Sequence, residues 1–247
     1  DRTKEVRQVQ DHPVYAGMMA ALDDAVGLVL DALKQSGVED NTVVVFTSDN
    51  GGVSSGDGFA TSCLPFRGGK GRQWEGGIRQ PYYSAWAGVT NGQTSRGPAT
   101  GMDFYPTFLE IAGLPLLPEQ HVDGMSLVPA LKGGGNADRP LFWHYPHYGN
   151  QGGEPSAIHI QGDWKLIHYF EDGRNELYNI AEDIGEQKDL AAENPDRAAS
   201  MLSALQEWQK QTGALFPTTN PKFDASKAGE ELERIRSEGM PRREAEH

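Results

Sequence analysis

One continuous apolar run constrains the fold of this chain more than any other feature. Residues 42–48 read Thr-Val-Val-Val-Phe-Thr-Ser, and turn-forming residues bound the run on both sides. A short run without polar alternation is typical of a strand covered on both faces, as in a parallel sheet. The run therefore predicts a strand that other elements of the protein cover on both sides.

The surrounding sequence predicts an α/β fold over residues 1–138. Residues 14–36 repeat apolar side chains with a helical period, and Gly37 supplies a C-terminal stop. After the apolar run, a second strand near Tyr82–Trp86 and a helix near Asp103–Ala112 repeat the alternation of helix and strand. This alternation is typical of α/β proteins.

The pattern changes near residue 139, where short segments of aromatic and β-branched residues begin. Gly162-Asp163 and Asp172-Gly173 predict hairpin turns between them. Asn194-Pro195 then provides an N-cap and a first-turn proline for a helix. We predict a small antiparallel sheet with a packed helix over residues 139–223, and a charged tail over residues 224–247. The predicted strands cover residues 141–145, 156–161, 164–170 and 176–180.

Composition excludes several classes of function. The net charge of −13 disfavours a nucleic-acid partner, which needs clustered Lys and Arg. No apolar run approaches the roughly 20 residues that cross a bilayer, so we expect no membrane partner. The single cysteine, Cys63, rules out an internal disulfide framework and CxxC metal sites.

Two segments carry residues suited to chemistry. Asp49 and Asn50 follow the apolar strand directly and offer hard oxygen ligands for Ca²⁺ or Mg²⁺, although Asp-Asn-Gly is also ordinary turn chemistry. Residues 66–79 combine five glycines, four cations and one Glu. Glycines permit close backbone approach, and Lys70 can present its charge to an anion. A surface loop with solvated charges is the alternative interpretation.

These motifs together resemble the second half of a type I sulfatase, a formylglycine-dependent family of the alkaline phosphatase superfamily. Phe46-Thr-Ser-Asp-Asn-Gly-Gly52, Arg67-Gly-Gly-Lys-Gly71 and Glu75-Gly-Gly-Ile-Arg79 occur in the family's order and spacing, as does Gly162-Asp-Trp-Lys-Leu166 downstream. The resemblance covers nearly all of residues 12–224. It implies part of an alkaline-phosphatase-like mixed sheet flanked by helices, with the C-terminal antiparallel sheet and helix beside it.

The resemblance also implies roles for matched residues. Asp49 and Asn50 are expected to bind a divalent cation, usually calcium in this family. Lys70 is expected to contact a sulfate oxygen and to neutralise charge on the bridging oxygen as the ester breaks. Glu75 and Arg79 are expected to organise the loop as a buried pair.

Two histidines in an aromatic loop, His144 and His147, are candidates for substrate binding, because the C-terminal subdomain of the family often helps to frame the pocket. Histidines among aromatic residues are at least as often structural. His159 lies within a predicted strand and is expected to be a sheet residue.

The family nucleophile is a formylglycine made from Cys or Ser in a Cys/Ser-x-Pro-x-Arg motif. Cys63-Leu-Pro-Phe-Arg67 matches that pattern but follows Asn50 by thirteen positions, whereas the family residue lies far N-terminal and opens a helix. We therefore predict an ordinary thiol at Cys63 and expect the formylglycine in an N-terminal segment. We also expect that these residues alone are inactive, and that an N-terminal half or another chain completes the sheet.

Two other functions remain open at this stage. Phosphodiesterases and phosphonate hydrolases of the superfamily commonly have Asp-His where this chain has Asp49-Asn50, and His suits zinc. A truncated, non-catalytic sulfatase-like protein is the second alternative. For a sulfatase, the expected partner is a sulfated small molecule or glycan, and the family implies a periplasmic or secreted location.

Overall fold

A computed structural model describes residues 6–55, 59–149, 151–227 and 229–230 of the chain. The chain divides into two compact units. One comprises residues 1–21, 48–80 and 140–247, and the other comprises residues 22–47 and 81–139. Residues 48–80 thus group with the C-terminal residues, which the predicted linear division at residue 138 does not anticipate. Most of the predicted charged tail lies outside the described residues.

The predicted helices and strands occur in the predicted order, and two short helices, Glu75–Ile78 and Val128–Leu131, are present in addition. Short 3₁₀ turns at Glu39–Asn41, Gly101–Asp103 and Ala225–Lys227 connect or flank them. The elements are α1 (Pro13–Gln35), β1 (Val43–Thr47), α2 (Glu75–Ile78), β2 (Tyr82–Trp86), α3 (Phe104–Ile111), α4 (Val128–Leu131), β3 (Leu141–Tyr145), β4 (Ser156–Gln161), β5 (Trp164–Tyr169), β6 (Asn175–Asn179) and α5 (Pro195–Thr212).

The first helix, α1, confirms the predicted helical period. It begins at Pro13, whose fixed φ suits a first turn, and the chain leaves it through Gly37 at φ +68°. No residue of α1 is buried, and Met18 and Val29 of the apolar stripe are 62% and 60% exposed. An amphipathic helix is normally stabilised by packing of that stripe, so α1 presents an apolar face suited to a partner surface.

The apolar run forms the predicted strand, but its pairing differs from the parallel arrangement that the run suggested. Strand β1 pairs antiparallel with β2, with Val45 opposite Ser84. No residue of β1 is buried, so the described residues leave the strand only partly covered. An apolar run indicates that a strand is to be covered, whereas strand direction depends on connections elsewhere in the chain.

A buried carboxylate organises the start of α3. Asp103 is fully buried and accepts hydrogen bonds from the backbone N–H groups of Thr100 and Met125 at 2.7 and 2.9 Å. Both of its oxygens also lie 2.6 Å from Nη2 of Arg139. The charge of Asp103 is therefore compensated inside its own unit.

The C-terminal strands form the predicted antiparallel sheet in the order β3-β4-β5-β6. Successive side chains of a strand point to opposite faces, so the sheet buries two separate clusters. On one face, Leu166 and Leu177 pack against Met201 and Leu205 of α5. On the other face, Ile167 and its neighbours pack against Trp74 of the glycine-rich segment. The sheet therefore lies between α5 and residues 66–79.

The helix α5 starts where Asn194-Pro195 predicted it. Asn194 occupies the N-cap position, but its side chain makes no capping hydrogen bond. Its amide instead donates to the carbonyl of Leu190 at 3.3 Å, so the predicted side-chain cap is wrong. The predicted helix is confirmed through its buried face and through Gly213, which ends it at φ +66°.

Candidate functional site

The structure brings Asp49, Asn50 and Lys70 together. Nζ of Lys70 lies 3.9 Å from Oδ2 of Asp49, and the Asn50 amide contacts the same oxygen. The Asp49 and Lys70 side chains are 75% and 39% exposed, so the cluster opens to the surface of the described residues. A carboxylate, a carboxamide and an ammonium group are thus neighbours at this surface, and carboxylate and carboxamide oxygens are ligand types that Ca²⁺ and Mg²⁺ use.

The two segments that carry these side chains are held together by backbone contacts. The N–H of Gly51 donates to the carbonyl of Gly77 at 3.0 Å, and the N–H of Lys70 donates to the carbonyl of Gly52 at 2.8 Å. A Cβ at Gly51 would lie 1.7 Å from the carbonyl oxygen of Gly76, so no larger residue fits there. The glycines next to Asp49-Asn50 and Lys70 therefore permit an approach that side chains would prevent.

The loop that carries Lys70 is anchored by Glu75, although not mainly by the predicted partner. Arg79 lies 3.5 Å from Glu75 but is half exposed, so the predicted buried Glu–Arg pair is only partly formed. The buried partner is Lys165 of β5, whose Nζ lies 3.1 Å from Glu75 and 2.7 Å from Glu186. Burial raises the pKa of Glu186, and the charge of Lys165 opposes that rise.

Sequence reasoning missed both Lys165 and Glu186. A lysine inside the strand Trp-Lys-Leu-Ile-His-Tyr was an available signal, because a charged residue in a buried strand needs a compensating partner. No local signal marks Glu186, which lies outside the helices and strands. Its side chain reaches Lys165 only through the folding of the chain.

Cys63 is a free, half-buried thiol. Its Sγ lies 3.5 Å from the carbonyl oxygen of Gly52, and the residues that follow form turns rather than a helix. Burial raises the pKa of the thiol, which disfavours the reactive thiolate. Arg67 of the same apparent motif stacks on Trp74 at 3.8 Å and donates to the Glu186 carbonyl at 2.8 Å. Arg67 therefore fixes the loop to the C-terminal residues.

The two candidate histidines differ in their surroundings. The ring nitrogens of His144 lie 2.9 Å from the carbonyl of Leu215 and 3.0 Å from the Gln209 amide, and the ring packs against aromatic residues. These contacts suit a structural role. His147 is exposed and touches Tyr145 edge-on, which leaves its ring accessible. The substrate-binding role of either histidine stays a prediction.

The donor set fits part of a hard-cation site. Calcium takes about six to eight oxygen ligands, and Asp49 with Asn50 supplies two residues of the required chemistry. The described residues contain no group of three or more His, Cys, Asp or Glu side chains that could hold a metal. Asp49 and Asn50 therefore need further ligands if they are to bind the cation tightly.

Comparison with known proteins identifies the family. Residues 1–114 match the family model described as Sulfatase. Residues 70–211, more than half of the chain, match the model described as N-sulphoglucosamine sulphohydrolase, C-terminal. The chain belongs to the sulfatase family. Members of this family generally use a metal ion and a formylglycine.

Individual relatives agree with this assignment. A protein named Sulfatase from Formosa agariphila is 37% identical over 78% of this chain, which spans only 39% of that relative. The crystal structure of Ps i-CgsB in complex with k-i-k-neocarrahexaose superposes with a TM-score of 0.70 at 30% identity, over 95% of this sulfatase chain and 49% of that one. The structure of BT4656 in complex with its substrate D-glucosamine-2-N,6-O-disulfate gives a TM-score of 0.63 at 27% identity, over 78% and 39%. The predicted fold class is confirmed.

The described part of this sulfatase chain contains no helix that is long and apolar enough to cross a membrane. The longest helix, α1, has 23 residues, and acidic and basic side chains interrupt it.

Proposed function

We propose that the protein hydrolyses sulfate esters, with Asp49, Asn50 and Lys70 contributing to its active site. The observation that carries the proposal is the approach of Lys70 to Asp49 at 3.9 Å, within a chain of the sulfatase family. Asp49 and Asn50 would hold a divalent cation, Ca²⁺ or Mg²⁺. The bound cation would supply positive charge that polarises the sulfate group.

Lys70 has the chemistry to act on the breaking bond. Hydrolysis breaks the bond between sulfur and the bridging oxygen, and negative charge grows on that oxygen as the alcohol leaves. An ammonium group held beside it stabilises the transition state more than the ground state. Backbone hydrogen bonds and close glycine contacts fix the loop, so the backbone of Lys70 is held in place before the substrate binds.

The proposed active site also requires a nucleophile and further metal ligands. We place a formylglycine in a segment N-terminal to these residues, since Cys63 lies in turns and has a raised pKa. The same segment is proposed to cover the exposed apolar face of α1 and the partly covered β1. Support for this comes from the matched structure Ps i-CgsB, of which this chain covers 49%. The proposed location is periplasmic or secreted.

The substrate is proposed to be a sulfated small molecule or glycan. Two of the matched structures are complexes with carbohydrates, a neocarrahexaose and a disulfated glucosamine. His147 remains the better placed candidate for contact with the organic part of such a substrate, because its ring is accessible. His144 is the second candidate, with both ring nitrogens already in contact with the protein.

The proposal is tested on the complete protein with an aryl sulfate reporter and added Ca²⁺. Asp49→Ala should abolish calcium binding measured by calorimetry, while the exposed Asp40→Ala serves as a control that should bind like the wild type. Lys70→Ala should lower kcat/KM by about 10²-fold, the scale of losing one preorganised stabilising group. Unchanged calcium binding in Asp49→Ala, or a loss of only a few-fold in Lys70→Ala, would remove these assignments.

A parallel assay with aryl phosphate and phosphonate esters separates the alternative functions. A sulfatase should turn over the sulfate ester with the higher kcat/KM. Preference for the phosphorus esters would instead favour a phosphodiesterase or phosphonate hydrolase. A complete protein inactive towards all of these esters would favour the non-catalytic alternative.

A further inference from the structure

We propose that Lys165 is a positioning residue, which holds Glu75 and thereby sets the placement of Lys70 relative to Asp49 and Asn50. Lys165 lies on β5, on the face of the sheet that packs against the glycine-rich segment. The inference rests on the proposed sulfatase function and deepens it, because it assigns a role to a residue remote from the reacting atoms.

The cluster around Lys165 is a closed set of charges. Lys165 and Glu186 are fully buried, and the side chain of Glu75 is 6% exposed. Nζ of Lys165 lies between the two carboxylates, and Oε2 of Glu186 accepts the backbone N–H of Glu75 at 2.6 Å. With Arg79 at the outer side, two cations balance two carboxylates.

Stability is a weak explanation for this cluster. Replacing a buried ion pair by packed apolar residues is often neutral or stabilising, because desolvation of the charges offsets their attraction. The neighbouring position on the same face holds Ile167, which packs without any charge. A lysine at position 165 is therefore better explained by a need to fix Glu75 in one place.

The backbone at Glu186 supports the same conclusion. Its φ is +48°, in the left-handed region that residues other than glycine rarely adopt. Such strain persists where the surrounding structure demands a particular side chain at that point. Here the side chain contacts both the Lys165 ammonium and the Glu75 backbone N–H.

A short path leads from Glu75 to the proposed active site. Glu75 begins α2, and the next residues, Gly76 and Gly77, touch Gly51 through a carbonyl contact and a hydrogen bond of 3.0 Å. Because these backbone segments are closely packed, a displacement of Glu75 also displaces the segment that follows Asp49 and Asn50. Lys70 is tied to the same segment through the carbonyl of Gly52.

The test is a kinetic comparison of variants of the complete protein with an aryl sulfate. Lys165→Met removes the charge while keeping much of the side-chain length, and it should lower kcat/KM by at least about 10-fold, mainly through kcat. Leu205→Ala is the matched control, because Leu205 lies in α5 and packs against the opposite face of the same sheet. It should lower Tm but leave kcat/KM within about two-fold of the wild type, at temperatures where the protein is folded.

A double variant distinguishes positioning from general damage. If Lys165 acts through the site that contains Lys70, most of the loss caused by Lys165→Met should disappear in a Lys70→Ala background. Additive losses, or wild-type kinetics in Lys165→Met, would overturn the inference. If Lys165→Met does not fold, Glu75→Gln provides the same comparison with a nearly isosteric change. Failure of both variants to fold would also overturn it, because structural support would then account for the cluster.

The outcome for the wild type separates the two proposals. A wild-type protein without sulfatase activity would overturn the proposed function and this inference together. An active wild type with a fully active Lys165→Met variant would overturn only the role of Lys165.

Discussion

Replacing Gly51 by alanine would place a methyl group against the backbone of α2. The added Cβ would lie 1.7 Å from the carbonyl oxygen of Gly76 and 2.7 Å from its carbon. Both neighbours are backbone atoms, so no side-chain rotation can relieve the contact. Gly51 also donates to Gly77 at 3.0 Å, and the shift that relieves the clash weakens this hydrogen bond.

The size of the loss in activity follows from how far the segments of Gly51 and Gly76 must move apart to accommodate the added methyl group. Widening 1.7 Å to 3.0 Å, the shortest separation that Cβ atoms tolerate, moves the two segments apart by about 1.3 Å. A misplacement of about 1 Å can cost about 10²-fold in rate, so kcat/KM should fall by about that factor. Overpacking of this kind should also cost about 1–3 kcal/mol of stability.

The assay is hydrolysis of an aryl sulfate by the complete protein, with calorimetry for calcium affinity and a thermal melt. Gly135→Ala is the matched control, because a Cβ there would meet nothing within 4 Å of the described structure. The control should leave kcat/KM and Tm close to the wild-type values. If Gly51→Ala keeps wild-type activity and calcium affinity, the close approach of the two segments does not set the geometry of the site.

Three further predictions concern single side chains. Burial raises the pKa of Cys63, so its peptide should retain the mass of a thiol and react with iodoacetamide more slowly than free cysteine at pH 8; an aldehyde mass would contradict this. Burial lowers the pKa of His159 below its ordinary value of 6.5, and its Nδ1–H donates to the Met201 carbonyl at 2.9 Å. The stability from neutral His159 is present above about pH 6.5 and is lost as pH falls through the folded pKa, so Tm should drop as the pH is lowered below about 6.5, and His159→Gln should lessen the drop. Asp103→Ala should destabilise the protein by about 3–5 kcal/mol in denaturant titrations, because it leaves the Arg139 charge uncompensated; a loss below about 1 kcal/mol would refute that estimate.

The longer helices, the strands and the candidate site residues could be predicted from the sequence. The spacing of apolar residues predicted α1, β1 and the C-terminal strands, because helical and strand periodicity depends only on residues that are close in sequence. Asp49, Asn50 and Lys70 stood out because their motifs occur at short fixed spacings. These are properties of continuous segments, and a segment keeps them whatever the rest of the chain does.

Contacts between distant segments were decided only by the tertiary structure. The sequence paired Glu75 with Arg79, four residues away, whereas the buried partner is Lys165, ninety residues away. The choice depends on which face of β5 meets the glycine-rich segment. Likewise, the sequence offered His144 as a candidate for substrate binding, whereas in the structure it lies in β3 and its ring nitrogens contact Gln209 and Leu215. The antiparallel direction of β2 beside β1 also depends on the path of the chain between the two strands. Burial and charge pairing both depend on packing between segments that are distant in sequence, and the order of residues along the chain does not determine that packing.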